Sequence, residues 1–420
     1  MHFPKMTTLR QAVKGPPAVE DIPGTVRAEV TRAAQETGFR PGQSVGVAAG
    51  SRGIANYGLI VRATVAALRE LGTEPFVFPA MGSHGGATKQ GQLDILAHIG
   101  ITPDEIGVPV LSEIEPVEVG ATEDGLSVYA DRFACGADHI IAVNRVKKHT
   151  DFTGEIESGI LKMLSIGIGK QVGADAYHNQ AQAYGFQHMI KTVTSVILDK
   201  CPVAFGLALV ENGREETAHI EAITAADLYT REPRVLNLAR EWQTLLPFEN
   251  LDLLIIDFIG KNISGTGMDA NVVGRRMQTG EPELTTPEIK RIYVRDLTDE
   301  SGGNATGIGL ADFTSTRLVE KFDRPSTYAN LITGGGPQKG RLPMYLDSDR
   351  EVLAAALNTI GVVPPDQARI VRIFNTLHLE KLEVSEPLAQ ESEVRDELSV
   401  LALPSAMAFD AQGNFTPWGN

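Results

Sequence analysis

The sequence predicts an α/β fold: two domains with mainly parallel sheets flanked by helices, and an active site in the cleft between them. Three observations carry that expectation. At 420 residues the chain is too long for one ordinary core. Short apolar runs alternate with segments of helical periodicity, the pattern of strands covered by helices. The rhythm breaks near Pro247 and restarts with the apolar run LDLLIIDFIG (251–260). The expected division is therefore 1–247 and 248–404, with a tail, 405–420, whose candidate partner is the first domain.

Each element has a local reason. SVGVAAG (44–50) is an apolar run ending in small residues, read as a strand. NYGLIVRATVAALRELG (56–72) has apolar residues at helical spacing and a closing Gly. PFVFPAMG (75–82) is a second strand and TKQGQLDILAHIG (88–100) a second helix. DHIIAVNRV (138–146) reads as a buried strand, 182–200 as a helix, VAFGLALV (203–210) as a strand and 225–246 as one or two helices. After 260 come a Gly/Asn/Asp loop (262–274), a strand at 290–296, a Gly-rich loop (301–309) and a helix at 311–322. A helix at 350–361 and a strand at 368–375 complete the pattern.

Composition narrows the function. The net charge of -15 argues against nucleic acid and anionic membranes as partners, since both need a basic face. An anionic substrate would need locally placed Arg or Lys. The two cysteines, Cys135 and Cys201, form no CxxC pair and read as buried thiols beside apolar strands. MHFPKMTTLRQ has no long apolar core, and no apolar run reaches the roughly 18 residues a bilayer requires. A cytoplasmic location is expected.

In open α/β sheets the site lies in the loops at the carboxyl ends of the strands. Three such loops offer chemistry: GSRG with Arg52, MGSHGG with His84, and NRVKKHTDF with His149. Each residue also has an ordinary reading, as a surface cation, a turn histidine and a solvated basic run. The segment from Arg145 to His178 adds one amine, Lys162, and a further imidazole, His178. Two imidazoles titrating near neutrality and one amine suffice for acid–base chemistry, a metal bond and a covalent tether. GIGKQVG (167–173) is neither GxGxxG nor a Walker A motif. ISGTGMDANVVGRR (263–276) and ITGGGPQKG (332–340) are compatible with anion-contacting loops and equally with structural turns.

On these residues the chain resembles the nickel-pincer-nucleotide-dependent lactate racemase family. The matches come in order: Arg52 in GSRG, His84 in GSHGG, His149 after a buried strand, SGILK (158–162), and His178 sixteen residues after Lys162. The resemblance implies a hydride-transferring racemase or epimerase acting at the 2-hydroxy carbon of a small 2-hydroxy acid. It implies His84 and His149 as the acid–base pair and Lys162 as the covalent tether of a thio-substituted pyridinium mononucleotide. It further implies Ser158, Gly159 and Arg52 as cofactor or substrate contacts, and His178 as the nickel ligand. Ala49 stands where the lactate enzyme has an Asp, and REVLAAALNTIG lacks its Tyr-Gln-x-x-Lys motif. A longer or sugar-derived acid is therefore as fitting a substrate as lactate. Two other readings stay open: an NAD(P)-dependent oxidoreductase, and a non-catalytic ligand-binding protein of the same fold.

Overall fold

The computed structural model describes residues 3–51, 53–416 and 418. The fold is mixed α/β, with mainly parallel sheets flanked by helices. The chain divides into two compact units, Lys14–Gln243, and Met1–Val13 with Thr244–Asn420. This differs from the sequence-based division at both ends. The strand Lys5–Gln11 pairs antiparallel with Lys381–Ser385 on one side and Leu398–Ala406 on the other. The first residues and the tail thus belong to the second unit. Phe415 of the tail lies under the guanidinium groups of Arg295 and Arg372, at 5.2 and 4.6 Å, and its N–H donates to Asp349 at 2.7 Å. The physical reason is the open backbone ladder of Lys381–Ser385, which only another strand can satisfy.

In the unit Lys14–Gln243 a five-stranded sheet has the order Glu74–Pro79, Ser44–Ala49, His139–Arg145, Val203–Glu211, Thr217–Thr224. The first four run parallel and the last is antiparallel. The strands read as continuous apolar runs because both faces are covered, one residue to each face in alternation. Val45, Val47, Ile141 and Val143 meet helices Ile22–Glu36 and Tyr57–Glu70. Ala48, Ile140, Ala142 and Ala208 meet helices Lys170–Tyr184, Phe186–Lys200 and Leu228–Trp242 on the other face. Ala49 lies opposite both Pro79 and Val143. The loops after these three neighbouring strands therefore begin side by side.

The sequence reading placed one helix over 182–200. The structure has two, broken by Gly185 at φ 83. Upstream, a short turn Ile160–Lys162 runs into a π-helical turn, Met163–Gly167. The expected helix over 311–322 is a strand, Phe313–Ser315, followed by a helix, Thr316–Lys321, which the Ser315 hydroxyl caps. Local periodicity missed that strand because it is only three residues long.

The second unit holds an eight-stranded sheet. Met344–Leu346, Phe313–Ser315, Glu288–Leu297, Asn250–Ile259 and Ile370–Ile373 run parallel, and the three antiparallel strands described above complete it. Among the described residues no helix is long and apolar enough to cross a membrane.

Candidate active site

The strand His139–Arg145 delivers the site. Its last residues are locked to their surroundings: Asn144 donates to the Gly159 carbonyl at 2.8 Å, and Arg145 pairs with Glu211. The chain then loops out and returns, with Lys147 and Ser158 exchanging backbone hydrogen bonds at 3.0 and 3.2 Å. Inside that loop lies Glu157, 1% exposed. Its carboxylate accepts the His149 N–H at 2.6 Å and the Gly154 N–H at 3.2 Å, and pairs with Arg240 at 2.6 Å. A buried, fully engaged carboxylate of this kind pins the KKH run in place. The run is not an ordinary solvated face.

The His149 ring stacks on Phe152, centroids 4.3 Å apart, and Phe152 stacks on Phe186 at 4.6 Å. The Asp151 N–H donates to His149 Nδ1 at 3.0 Å. That nitrogen therefore carries the lone pair, and a neutral ring keeps its proton on Nε2. His149 Nε2 meets Lys162 Nζ. Burial is the largest influence on Lys162 and pulls its ammonium down to about 8, with Lys147 adding to the effect and Asp151 opposing it. Near neutral pH this amine therefore releases its proton far more readily than a surface lysine, and an N–H on Nε2 faces the lone pair that results.

The turn bearing Lys162 is held from below by Glu232, 1% exposed on the helix Leu228–Trp242. Glu232 Oε2 accepts the Leu161 N–H at 3.0 Å. A Cβ at Gly159 would stand 2.3 Å from Glu232 Oε1, so only glycine admits the carboxylate there. Burial raises the Glu232 carboxyl to about 7, against the pull of the Leu161 and Ile160 amides. Ser158 and Gly159, expected as cofactor contacts, thus have their backbone engaged by the protein's own loop and helix.

His178 lies on the helix Lys170–Tyr184. Its Nδ1 donates to the Ala174 carbonyl at 2.6 Å, and its ring meets Phe186 edge-on at 6.0 Å. Burial lowers its proton affinity, and the neighbouring Lys162 lowers it further. The neutral ring then offers Nε2 as a lone pair. The Phe152–Phe186 stack is the wall that His149, Lys162 and His178 share.

The loop after Glu74–Pro79 packs on the same segment. The Gly82 N–H donates to the Gly167 carbonyl at 3.1 Å, and a Cβ on Gly82, at φ 56, would sit 3.6 Å from Ala174 Cβ. His84 follows, exposed, at the start of a 3₁₀ turn. Arg52 lies outside the described residues. Lys170, the other lysine of the segment, is 1% exposed; its ammonium pairs with Asp131 at 2.7 Å and donates to the Pro79 carbonyl at 2.6 Å. It is a structural cation beneath the His84 loop.

Sequence reasoning missed Glu157, Glu232 and the Phe152–Phe186 wall. Glu232 had a signal. Leu228, Glu232, Val235, Leu236 and Ala239 share one buried helical stripe, and an acid on such a stripe needs a partner. Among the described residues no group of three or more His, Cys, Asp or Glu could hold a metal ion.

No family model matches the sequence, and no curated protein matches it. Among solved structures, the chain is similar to the lactate racemase apoprotein from Thermoanaerobacterium thermosaccharolyticum. The TM-score is 0.54 at 12% identity, covering 86% of this chain and 92% of that one. At that identity the likeness is one of fold.

Proposed function

We propose that this chain is a racemase or epimerase of a small 2-hydroxy acid that carries a nickel-pincer nucleotide on Lys162. The observation that carries the reading is one cluster: a lysine with weakened proton affinity against His149, and a neutral imidazole, His178, on the same aromatic wall. The fold shared with a lactate racemase apoprotein supports it. The residues fit the group. Lys162 supplies an amine that is neutral often enough near pH 7 to be acylated. His178 supplies one nitrogen donor, of a type that suits nickel alongside sulfur and carbon ligands. When bound, the nucleotide supplies reversible hydride acceptance at the substrate's C2 carbon.

The chain's own groups then have distinct tasks. With the nucleotide attached, the Lys162 nitrogen would be amide-like and would no longer offer a lone pair to His149 Nε2. His149 Nε2–H then becomes available to a substrate oxygen, held in orientation by the Asp151 N–H on Nδ1 and backed by Phe152. To take a hydroxyl proton at Nε2 the ring must first move its own proton to Nδ1 and release the Asp151 N–H. His84, on a glycine turn, is the second acid–base candidate, and two bases are what exchange at opposite faces of C2 requires. Arg52, which follows Ser44–Ala49 in the sequence, is the candidate carboxylate contact.

The test is co-expression with the cofactor-synthesis enzymes. The protein should gain a mass adduct on the peptide holding Lys162, and Lys162→Ala should abolish it. The loaded enzyme should interconvert stereoisomers of a 2-hydroxy acid while a C2 deuterium stays in the product. An adduct on another lysine, or washout of the label into water, would overturn the assignment.

A further inference from the structure

Away from the Lys162 cluster, the chain's two cysteines come together. Cys135 and Cys201 are 66 residues apart in sequence, yet their sulfurs lie 3.9 Å from one another. Cys135 ends the short helix Arg132–Cys135, anchored by its N–H to the Asp131 carbonyl at 3.0 Å. Cys201 caps the helix Phe186–Lys200, its N–H on the Ile197 carbonyl at 2.9 Å. Both backbones are therefore fixed, and both thiols are free. The two differ in access: Cys135 is half-buried, whereas Cys201 is 5% exposed.

We propose that Cys135 and Cys201 are a hydroperoxide-reactive pair that closes to a reversible disulfide. Cys135 is the more exposed of the two residues, so it is the attacking thiol. The two sulfurs share a contact in which either thiol can donate. That contact lowers the Cys135 thiol's proton affinity and raises that of Cys201, although the charge of Asp131 opposes the effect at Cys135. In the first step the Cys135 sulfur takes the terminal oxygen of a hydroperoxide. The O–O bond breaks, an alcohol or water leaves, and Cys135 becomes a sulfenic acid. In the second step the Cys201 sulfur attacks that sulfenic sulfur. The S–S bond forms, the S–O bond breaks, and the two hydrogens leave with the oxygen as water. The hydroperoxide is the oxidant, and a small thiol reverses the bond by exchange. Forming the bond brings the sulfurs from 3.9 Å to about 2.05 Å.

The bond would tie together two elements that support other parts of this unit. Asp131 begins one of them and holds Lys170. Phe186 begins the other and stacks on Phe152. The proposal does not depend on the chemistry assigned to Lys162.

The experiment treats the purified full chain with hydrogen peroxide and, separately, with diamide. The expected result is loss of both titratable thiols, an intact mass lower by two hydrogens, and a cross-linked peptide joining Cys135 to Cys201. Dithiothreitol should restore both thiols. Cys201→Ser should stop at a sulfenic acid on Cys135 that dimedone traps, and Cys135→Ser should leave Cys201 unreacted. Because the diamide arm uses the native chain, a variant that fails to fold does not remove the test. Disulfide-linked dimers through Cys135, sulfinic acid without the internal bond, or two unreacted thiols would each overturn the proposal.

Discussion

Replacing Glu232 by Gln isolates the group beneath the Lys162 turn. In the folded chain, burial lifts the Glu232 carboxyl from its ordinary 4.5 to about 7. A folded value above the unfolded one means that the native state holds the proton more tightly. The stability this provides is fully present below about pH 4.5 and is lost as pH rises through about 7. At about 1.4 kcal/mol per tenfold change in proton affinity, the loss approaches roughly 3 kcal/mol by about pH 8. Gln has the same shape and no proton to release, so this part of the pH dependence should vanish in Glu232→Gln. Lys162, whose folded value is lowered to about 8, gains stability as pH rises above that value. It does so in both proteins and cancels in the comparison. The assay is urea unfolding from about pH 5 to pH 8, followed by tryptophan fluorescence. The chain has two tryptophans, and Trp242 ends the helix that carries Glu232. A Trp418→Phe background therefore leaves a reporter in the right unit. The native protein should lose about 2.5 kcal/mol relative to the variant across that range. Parallel curves would refute the claim that a buried, proton-holding carboxyl supports the turn.

Gly159→Ala should cost about 1–3 kcal/mol by the same fluorescence reporter, because its Cβ meets Glu232 Oε1 at 2.3 Å; an unchanged midpoint would mean that the carboxylate is not seated there. Lys170→Met should cost about 3–5 kcal/mol by leaving Asp131 as an unpaired buried charge, and adding Asp131→Asn should recover much of it. Labelling of Lys162 by an amine-reactive reagent, followed by peptide mass, should rise with a midpoint near pH 8, whereas surface lysines rise near pH 10. His178→Ala, in protein loaded with the nucleotide, should keep the Lys162 adduct and lose most bound nickel; full nickel retention would remove His178 from the site.

The strand–loop skeleton around the site was legible because strands covered on both faces are continuous apolar runs, as at Ser44–Ala49 and His139–Arg145. Loops at their carboxyl ends could be found from that alone, and with them His84 and His149. The partnership of His149 with Lys162 was not readable from spacing. It depends on Glu157, Phe152 and Glu232, which act through burial and tertiary reach. Gly159, a ligand-contact expectation from its motif, also makes room for Glu232 by lacking a side chain. The π-helical turn that opens the way from Lys162 to the next helix leaves no periodic trace in five residues. The domain division was the least legible feature, since Met6 pairs with Ser385 and no local pattern announces so distant a partner.

That distant pairing has a consequence for how the protein is made. Within this chain Lys5–Gln11 is synthesised well before the two strands it joins, Lys381–Ser385 and Leu398–Ala406. The stretch Lys14–Gln243 is complete in sequence long before either appears. Vectorial synthesis therefore favours this middle portion folding first, while an alternating strand at the amino end waits with its backbone groups unsatisfied. The waiting strand, KMTTLRQ, carries two charges and two threonines, which limit its tendency to pair with a neighbouring nascent chain. Truncation after about residue 380 should accordingly leave a folded Lys14–Gln243 unit and an incomplete eight-stranded sheet, a state that limited proteolysis can distinguish from global unfolding.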